Sequence, residues 1–301
     1  MIKQSIVAMM LTGSVAHANT VTLNPDRDNT LIESATGALS NARGDIYVSR
    51  TNQPAGQAIR RGVIHFNLTS TGIPAGSTIN SVTVKLWLNK TIDATARNIS
   101  LHKSTASWGE GTSYQNGGMG SASTTNDATW IHRFWTVTSW AAAGGDYNGA
   151  ASATTSVGST FQYYSWSSAT LKTDVTGWIA NAATNLGWEI VSAAEGIAPT
   201  ARRFTSRESL DDPGNHYPQL IIDYTPPGGF RDTTTATPAP RYVEGLRVLG
   251  ESDVDGDGVT DLLLRDERKN RLYGGHHDAT GLQTWELVFD RTASDPLSIK
   301  P

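Results

Sequence analysis

The 301-residue sequence contains no cysteine, and this absence removes two kinds of structural support. Neither disulfide bonds nor cysteine-ligated zinc can stabilise the fold. No segment after residue 18 approaches the roughly 18 consecutive apolar residues that a membrane-spanning helix needs. Basic residues are not in excess either, with 24 Lys and Arg against 28 Asp and Glu. Because nucleic-acid binding depends on positive charge that displaces counterions, we exclude nucleic acid as a partner.

Two common catalytic motifs are also missing. The sequence contains neither a Gly-x-Ser-x-Gly nucleophile elbow nor a His-Glu-x-x-His metal motif. Two weaker arrangements stay open, a glycosidase pair of Glu110 with Asp146 and a polysaccharide-lyase cluster of His132, Arg133 and Tyr147. We therefore expect a non-catalytic protein, with a polysaccharide-degrading enzyme as one alternative.

Residues 1–18 have the organisation of a secretory signal peptide. Lys3 supplies the positive charge, residues 5–16 form a short apolar core, and Ala16-His17-Ala18 is a small-x-small cleavage site. We therefore expect an exported bacterial protein, secreted or held at the cell surface without a transmembrane segment.

The rest of the chain divides into two parts on either side of a linker. Residues 226–240 contain four prolines and a threonine run without apolar periodicity, which is typical of a linker. Residues 19–225 are rich in short alternating segments such as 81–89, where apolar and polar side chains alternate as in a half-buried strand. This pattern predicts an all-β fold, a jelly-roll β-sandwich, followed by a small β unit at 241–301. One helix is predicted at 175–183, with Asp174 as its N-cap.

Residues 253–261 read Asp-Val-Asp-Gly-Asp-Gly-Val-Thr-Asp, and this spacing predicts a Ca²⁺ loop. Ca²⁺ prefers six to eight oxygen ligands, and alternate residues of a turning loop can direct their oxygens at one ion. The two glycines allow the backbone to close around it. The predicted ligands are the carboxylates of Asp253, Asp255, Asp257 and Asp261 and the main-chain carbonyl of Val259.

The loop differs from an EF-hand, because the twelfth position is Leu264 and not a bidentate glutamate. The flanking runs at 246–249 and 262–264 suit strands better than helices. The pattern resembles the FG-GAP, or integrin-like, calcium repeat of β-propellers over about residues 243–290. Only one copy is visible, whereas a propeller has four or more blades. The resemblance leaves open whether this unit packs on the sandwich or on another chain.

Seven segments of the first part occur in a characteristic order. They are Arg-Arg-Gly-Val-Ile-His-Phe-Asn-Leu (60–68), Ile-Pro-Ala-Gly-Ser-Thr-Ile-Asn-Ser-Val-Thr-Val-Lys-Leu (73–86), Trp-Gly-Glu-Gly (108–111), Asp-Ala-Thr-Trp (127–130), Gly-Gly-Asp (144–146), Asp-Val-Thr-Gly-Trp (174–178) and Arg-Phe-Thr-Ser-Arg-Glu-Ser (203–209). Together they resemble the DNRLRE domain, also called the disaggregatase-related or family 96 carbohydrate-binding domain, over about residues 26–225. The hexapeptide that names the family is absent, and 203–208 is the segment most similar to it. The resemblance implies a jelly roll on secreted or surface proteins that binds polysaccharide, including acidic polysaccharide such as alginate.

Sugar rings stack on aromatic side chains and pair their polar groups with planar donors. The segment 130–147 is rich in both, and the arginines near 203–208 suit carboxylate recognition. The predicted carbohydrate-binding residues are Trp130, Arg133, Trp135, Tyr147, Arg203 and Arg207. Two alternatives stay open: the aromatic residues belong to the core, and Arg207 belongs to a structural ion-pair network with Asp211, Asp212 or Glu33. The partner is then a polysaccharide or cell-surface glycan, or, for an adhesive protein, other surface proteins.

A second Ca²⁺ site in the sandwich is a further hypothesis. Asp26, Asp28, Glu33 and Asp45 lie close together near the start of the first domain. They lack the regular alternation of the loop at 253–261, so the sequence does not choose among them.

Overall fold

The computed structural model describes residues 18–69, 71–208, 210, 212 and 214–226, together with the backbone of several strands between 242 and 290. The chain divides into two compact units. The larger consists of Thr20–Gly72 and Ile79–Asp223, and the smaller contains Tyr224–Pro301. Nearly all of the predicted signal peptide and linker lies outside the described residues.

The regular secondary structure of the larger unit is almost entirely β-strand. Their bounds are β1 Asn19–Leu23, β2 Arg27–Ile32, β3 Leu39–Ser40, β4 Ile46–Arg50, β5 Ile59–His65, β6 Thr78–Thr91, β7 Arg97–Ser104, β8 Ser121–Ala122, β9 His132–Phe134, β10 Thr138–Ser139, β11 Tyr147–Val157, β12 Tyr163–Trp166, β13 Trp188–Ser192, β14 Arg202–Phe204 and β15 Gln219–Thr225. One α-helix, α1, spans Ala169–Ala180, and a short 3-10 turn spans Ala182–Thr184. The prediction of an all-β sandwich is therefore confirmed, while the jelly-roll connectivity stays a prediction.

The strands follow one long hydrogen-bonded path, β1-β15-β6-β14-β4-β5-β13-β7-β11. Strand β2 pairs with β5 and β3, and β12 pairs with β6. Along its length β6 lies beside β12 at Val84–Trp87 and beside β14 from Leu88 to Thr91. This long strand therefore has different neighbours at its middle and at its end. Strands β9 and β10 form a separate hairpin.

The core is dominated by tryptophan. Trp108, Trp166, Trp178 and Trp188 are fully buried, and the rings of Trp178 and Trp188 lie 4.5 Å apart between centroids. A buried tryptophan removes about 150–250 Å² from water, which stabilises the fold by at most about 4–6 kcal/mol each. This burial provides the core that a chain without disulfide bonds requires.

The helix begins earlier than predicted. The Ser168 hydroxyl accepts a hydrogen bond from the Leu171 amide at 2.9 Å and caps α1, which then runs to Ala180. Asp174, the predicted cap, lies inside the helix instead. It is buried there and accepts a hydrogen bond from the Ser152 hydroxyl at 2.5 Å. The prediction was wrong because Asp174 bonds to Ser152 on β11, a distant segment, and Ser168 caps the helix instead.

The smaller unit contains a five-stranded antiparallel meander. Its strands are β16 Tyr242–Val243, β17 Leu246–Ser252, β18 Asp261–Asp266, β19 Arg271–Asp278 and β20 Gly281–Asp290, and each pairs with the next. Ser252 lies opposite Asp261, so the predicted Ca²⁺ loop joins two paired strands. The prediction of strands on both sides of the loop is confirmed. Residues 253–260, which hold four of the five predicted ligands, lie outside the described residues, as does the side chain of Asp261.

Across the described residues, no helix has both the length and the apolar character needed to cross a membrane.

Candidate functional site

The segment 130–147 crosses from the core to the surface. Trp130 is 9 % exposed and packs in a core cluster with Leu31, Val63 and Trp108. Trp140 belongs to the same cluster, and its indole N–H donates to the Thr129 carbonyl at 2.8 Å. Most of the Trp130 ring is covered, so we leave it out of the binding surface proposed below.

Arg61 lies under this segment, and the sequence analysis did not select it. Its guanidinium is 5.1 Å from the ring centroid of Trp130 and 5.5 Å from that of Tyr147. It donates two hydrogen bonds to Glu195, at 2.8 and 2.9 Å, and one to the Gly144 carbonyl at 3.0 Å. The arginine is thus held rigidly between two aromatic rings. The motif at 60–68 contained it, but nothing local in the sequence indicated its aromatic neighbours.

Tyr147 and Arg61 line an open groove of about 420 Å³. The other lining residues are Thr105, Ala106, Ala141, Ala142, Ala143, Gly145 and Asp146. The alanine side chains are small, and the tyrosine ring is the largest apolar group among the lining residues. The Tyr147 hydroxyl has no hydrogen-bond partner among the described residues. This volume falls within the range of about 300–1,000 Å³ that is usual for small-ligand sites.

The wall of the groove is fixed by its own hydrogen bonds. The Asp146 carboxylate accepts from the amides of Ala141 and Ala142, at 2.8 and 2.9 Å. Gly145 has φ +106, and a Cβ at this position would lie 2.2 Å from the Glu189 carboxylate. Only glycine fits there, because both the backbone angle and the close approach exclude a side chain.

Glu189 lies behind this wall and is fully buried. Neither of its carboxylate oxygens has a hydrogen-bond partner among the described residues. Burial raises the pKa of the Glu189 carboxyl well above its ordinary value, Arg61 opposes the rise, and Asp146 and Glu195 add to it. The acid is therefore held in its neutral form well above the pH at which an exposed glutamate ionises.

The other two residues predicted from this segment lie on the β9–β10 hairpin. Arg133 donates to the carbonyl and the hydroxyl of Ser107, at 3.0 and 2.9 Å. The half-buried Trp135 contacts the ring of His132 edge-on at 5.0 Å. Both side chains keep part of their surface in contact with solvent. They form a second aromatic surface on the same segment as Tyr147.

Both predicted arginines near 203–208 are engaged in internal ion pairs. Arg203 donates to Asn89 at 2.6 Å and lies 3.2 Å from the buried Asp45 carboxylate. Arg207 donates to Glu110 at 2.6 Å and lies 2.8 Å from Glu208. The alternative of a structural network is favoured for Arg207, although its partners differ from those predicted, and Arg203 also pairs with an internal carboxylate. A lone arginine does not show in sequence which of many carboxylates it will meet.

The candidate ligands of a second Ca²⁺ site separate in the structure. Asp26 contacts His65, and the Glu33 carboxylate accepts from the amides of Ala58 and Ile59, both at 2.8 Å. Asp45 pairs with Arg203. Only Asp28 meets other carboxylates, those of Glu110 and Glu208.

No known family model matches this chain, and no curated protein matches it. The resemblances to the DNRLRE domain and the FG-GAP repeat therefore stay predictions that rest on the motifs quoted above. The site is interpreted below from its own chemistry.

Proposed function

We propose that this chain is an exported, non-catalytic carbohydrate-binding protein whose β-sandwich binds polysaccharide in the groove of Tyr147 and Arg61. The observation that supports it best is a partly exposed tyrosine ring, backed by a fixed arginine, in an open groove of about 420 Å³. The C–H face of a sugar can stack on the ring. The unpaired tyrosine hydroxyl and the groove's polar edge can then bond its hydroxyl groups.

The charge of the groove favours a neutral sugar. Arg61 is the one cationic side chain among the described lining residues, and both of its paired nitrogens are engaged by Glu195. Asp146 adds a carboxylate at the edge. An acidic polysaccharide would meet a site without available positive charge, so we expect uncharged glycans to bind more tightly than alginate. This expectation differs from the acidic ligands that the family resemblance implies.

Affinity gel electrophoresis with neutral and acidic polysaccharides tests the proposal. We expect a neutral polysaccharide to retard the protein, and Tyr147→Ala to weaken binding roughly 2- to 10-fold through the lost stacking. Tyr114→Ala is the matched control, because Tyr114 is 43 % exposed and does not line the groove. Retardation by no glycan would refute the function. Loss of binding in Trp135→Ala but not in Tyr147→Ala would move the site to the hairpin.

The C-terminal unit is proposed to bind Ca²⁺ at 253–261. The support is the ligand spacing in the sequence and the pairing of Ser252 with Asp261, which brings the two ends of the loop together. An ion bound only by the folded state stabilises it. The proposed role of Ca²⁺ is to make this unit rigid.

A second candidate function is adhesion to other proteins. The observation that favours it is an apolar cleft of about 230 Å³ beside two exposed side chains, Ile92 and Met119. Such a surface suits a protein partner better than a sugar, which needs hydrogen-bonding groups. Binding to surface proteins together with no binding on glycan arrays would favour this function.

The residues named for the lyase and glycosidase alternatives have different neighbours in the structure. Tyr147 contacts His102 and Arg61, whereas His132 contacts Trp135. Glu110 bonds to Arg207, whereas Asp146 lines the groove. We therefore expect neither reducing ends nor unsaturated uronates to accumulate when the protein is incubated with polysaccharide, and release of either would support an enzyme instead.

A further inference from the structure

Three carboxylates from distant parts of the sandwich meet at one point. Asp28 lies on β2, Glu110 follows the core residue Trp108, and Glu208 follows β14. One oxygen from each lies within 4.8 Å of the others. Glu110 and Glu208 belong to the segments Trp-Gly-Glu-Gly and Arg-Phe-Thr-Ser-Arg-Glu-Ser. Neither glutamate lines the groove of Tyr147 and Arg61.

Asp28 gives an independent indication that a ligand belongs here. Its side chain is fully buried, and its Oδ2 accepts a hydrogen bond from the Arg207 amide at 2.7 Å. Its Oδ1 has no partner among the described residues, and the Glu208 oxygens have none beyond the ion pair with Arg207. A buried polar oxygen without a partner destabilises the folded state, and more so when it is charged. A cation between these oxygens would remove that cost.

The balance of charge points the same way. Among the described residues, Arg207 is the one cation paired with this cluster, through Glu110 and Glu208, and Arg43 acts on Glu208 from farther away. Two negative charges are thus left without compensation when all three acids ionise.

We propose that Asp28, Glu110 and Glu208 bind a divalent cation, with Ca²⁺ as the ion that fits best. The donors are all carboxylate oxygens. These hard ligands suit Ca²⁺ better than they suit softer metals. Oxygens on opposite sides of a Ca²⁺ ion are about 4.6–5.2 Å apart, so atoms within 4.8 Å of one another can share one ion. The site is distinct from the loop at 253–261 and does not depend on glycan binding. It would join β2 to two loops of the sandwich.

The test must separate this site from the C-terminal loop. The full chain with Asp255→Ala and Asp257→Ala removes the loop's ligands, and calorimetric titration with CaCl₂ then reports the sandwich alone. We expect this chain to bind one Ca²⁺. Adding Glu208→Gln should weaken binding at least 10-fold, whereas Glu33→Gln, a matched change outside the cluster, should not. The proposal is overturned if the loop-deficient chain binds no Ca²⁺, or if Glu208→Gln binds it equally well.

Thermal unfolding gives a second, independent readout. At Ca²⁺ about a hundredfold above Kd, the midpoint of the loop-deficient chain should rise by about 5–10 °C. Glu208→Gln should lose this rise, yet unfold at the same or a higher temperature than its parent in chelator, because it removes one of the repelling charges. A variant that is less stable in chelator and keeps its response to Ca²⁺ would show a structural role for Glu208 and no ion site.

Discussion

Arg202 provides the sharpest test of whether the arginines of residues 202–207 stabilise the fold or bind a ligand. Its side chain is fully buried, and its guanidinium donates to the carbonyls of Val157, Thr200 and Thr95 at 3.2, 2.8 and 2.6 Å. It also lies 3.4 Å from the Asp93 carboxylate. Every one of these partners is internal. Arg202 is therefore a structural residue that ties β14 to neighbouring segments, and no part of it is available to a ligand.

The informative substitution is Arg202→Met, which keeps most of the buried stem and removes all the donors. Three carbonyl oxygens lose a hydrogen-bond donor beside a fully buried side chain, and Asp93 keeps its other partner, Arg97, at 2.8 Å. Removing one member of a buried charged network costs about 3–5 kcal/mol. For a domain of about 200 residues, this corresponds to a fall in Tm of about 6–20 °C.

The matched control is Arg97→Met, because Arg97 pairs with the same Asp93 from a more exposed position. A surface ion pair of this kind contributes about 0–1 kcal/mol. Chemical denaturation of both variants, followed by tryptophan fluorescence, gives the two free energies of unfolding. The reasoning fails if Arg202→Met costs no more than Arg97→Met, since the buried hydrogen bonds would then have no net effect.

Three further predictions concern stability. Burial raises the pKa of Glu189, so the native state binds more protons than the unfolded chain and the unfolding free energy of wild type should fall as the pH rises above about 4.3. Glu189→Gln should flatten this fall in urea denaturation across the pH range, and an unchanged pH dependence would contradict the reasoning. Trp166→Phe should lower the free energy of unfolding by about 1 kcal/mol more than Trp178→Phe. The reason is that the Trp166 indole donates to a carbonyl at 2.7 Å, whereas the Trp178 indole nitrogen has no partner among the described residues. Equal losses of unfolding free energy in urea denaturation would contradict this. Asp255→Ala with Asp257→Ala should abolish a Ca²⁺-dependent unfolding transition of the C-terminal unit in calorimetry, and a transition unchanged by the double substitution would remove the loop as an ion site.

The fold could be predicted where the sequence repeats with a period of two. Val82, Val84, Leu86 and Leu88 alternate with Thr83, Lys85 and Trp87, and all four are buried on one face of β6. Such alternation follows from strand geometry and needs no knowledge of the partner strands. On β5 the neighbours Val63 and Ile64 are both buried although successive residues of a strand point to opposite faces, so both faces of this strand are covered there.

The site could be predicted less well, because it depends on contacts between distant segments. An aromatic residue has the same signature in sequence whether it fills the core, as Trp130 does, or lines a groove, as Tyr147 does. The cluster of Asp28 with Glu110 and Glu208 has no local spacing that could reveal it, since its three carboxylates come from segments far apart in the sequence. The Ca²⁺ loop is the opposite case, because consecutive residues supply all of its predicted ligands.

The most direct test of glycan binding in the groove is a calorimetric titration in Ca²⁺ of wild type and Tyr147→Ala with a neutral oligosaccharide. The oligosaccharide should be cut from the polysaccharide that retards wild type most strongly in affinity electrophoresis. The account predicts saturable binding by wild type, and a Kd roughly 2- to 10-fold higher for the variant at unchanged folding. Binding that is identical in the two proteins, or confined to acidic oligosaccharides, would contradict it.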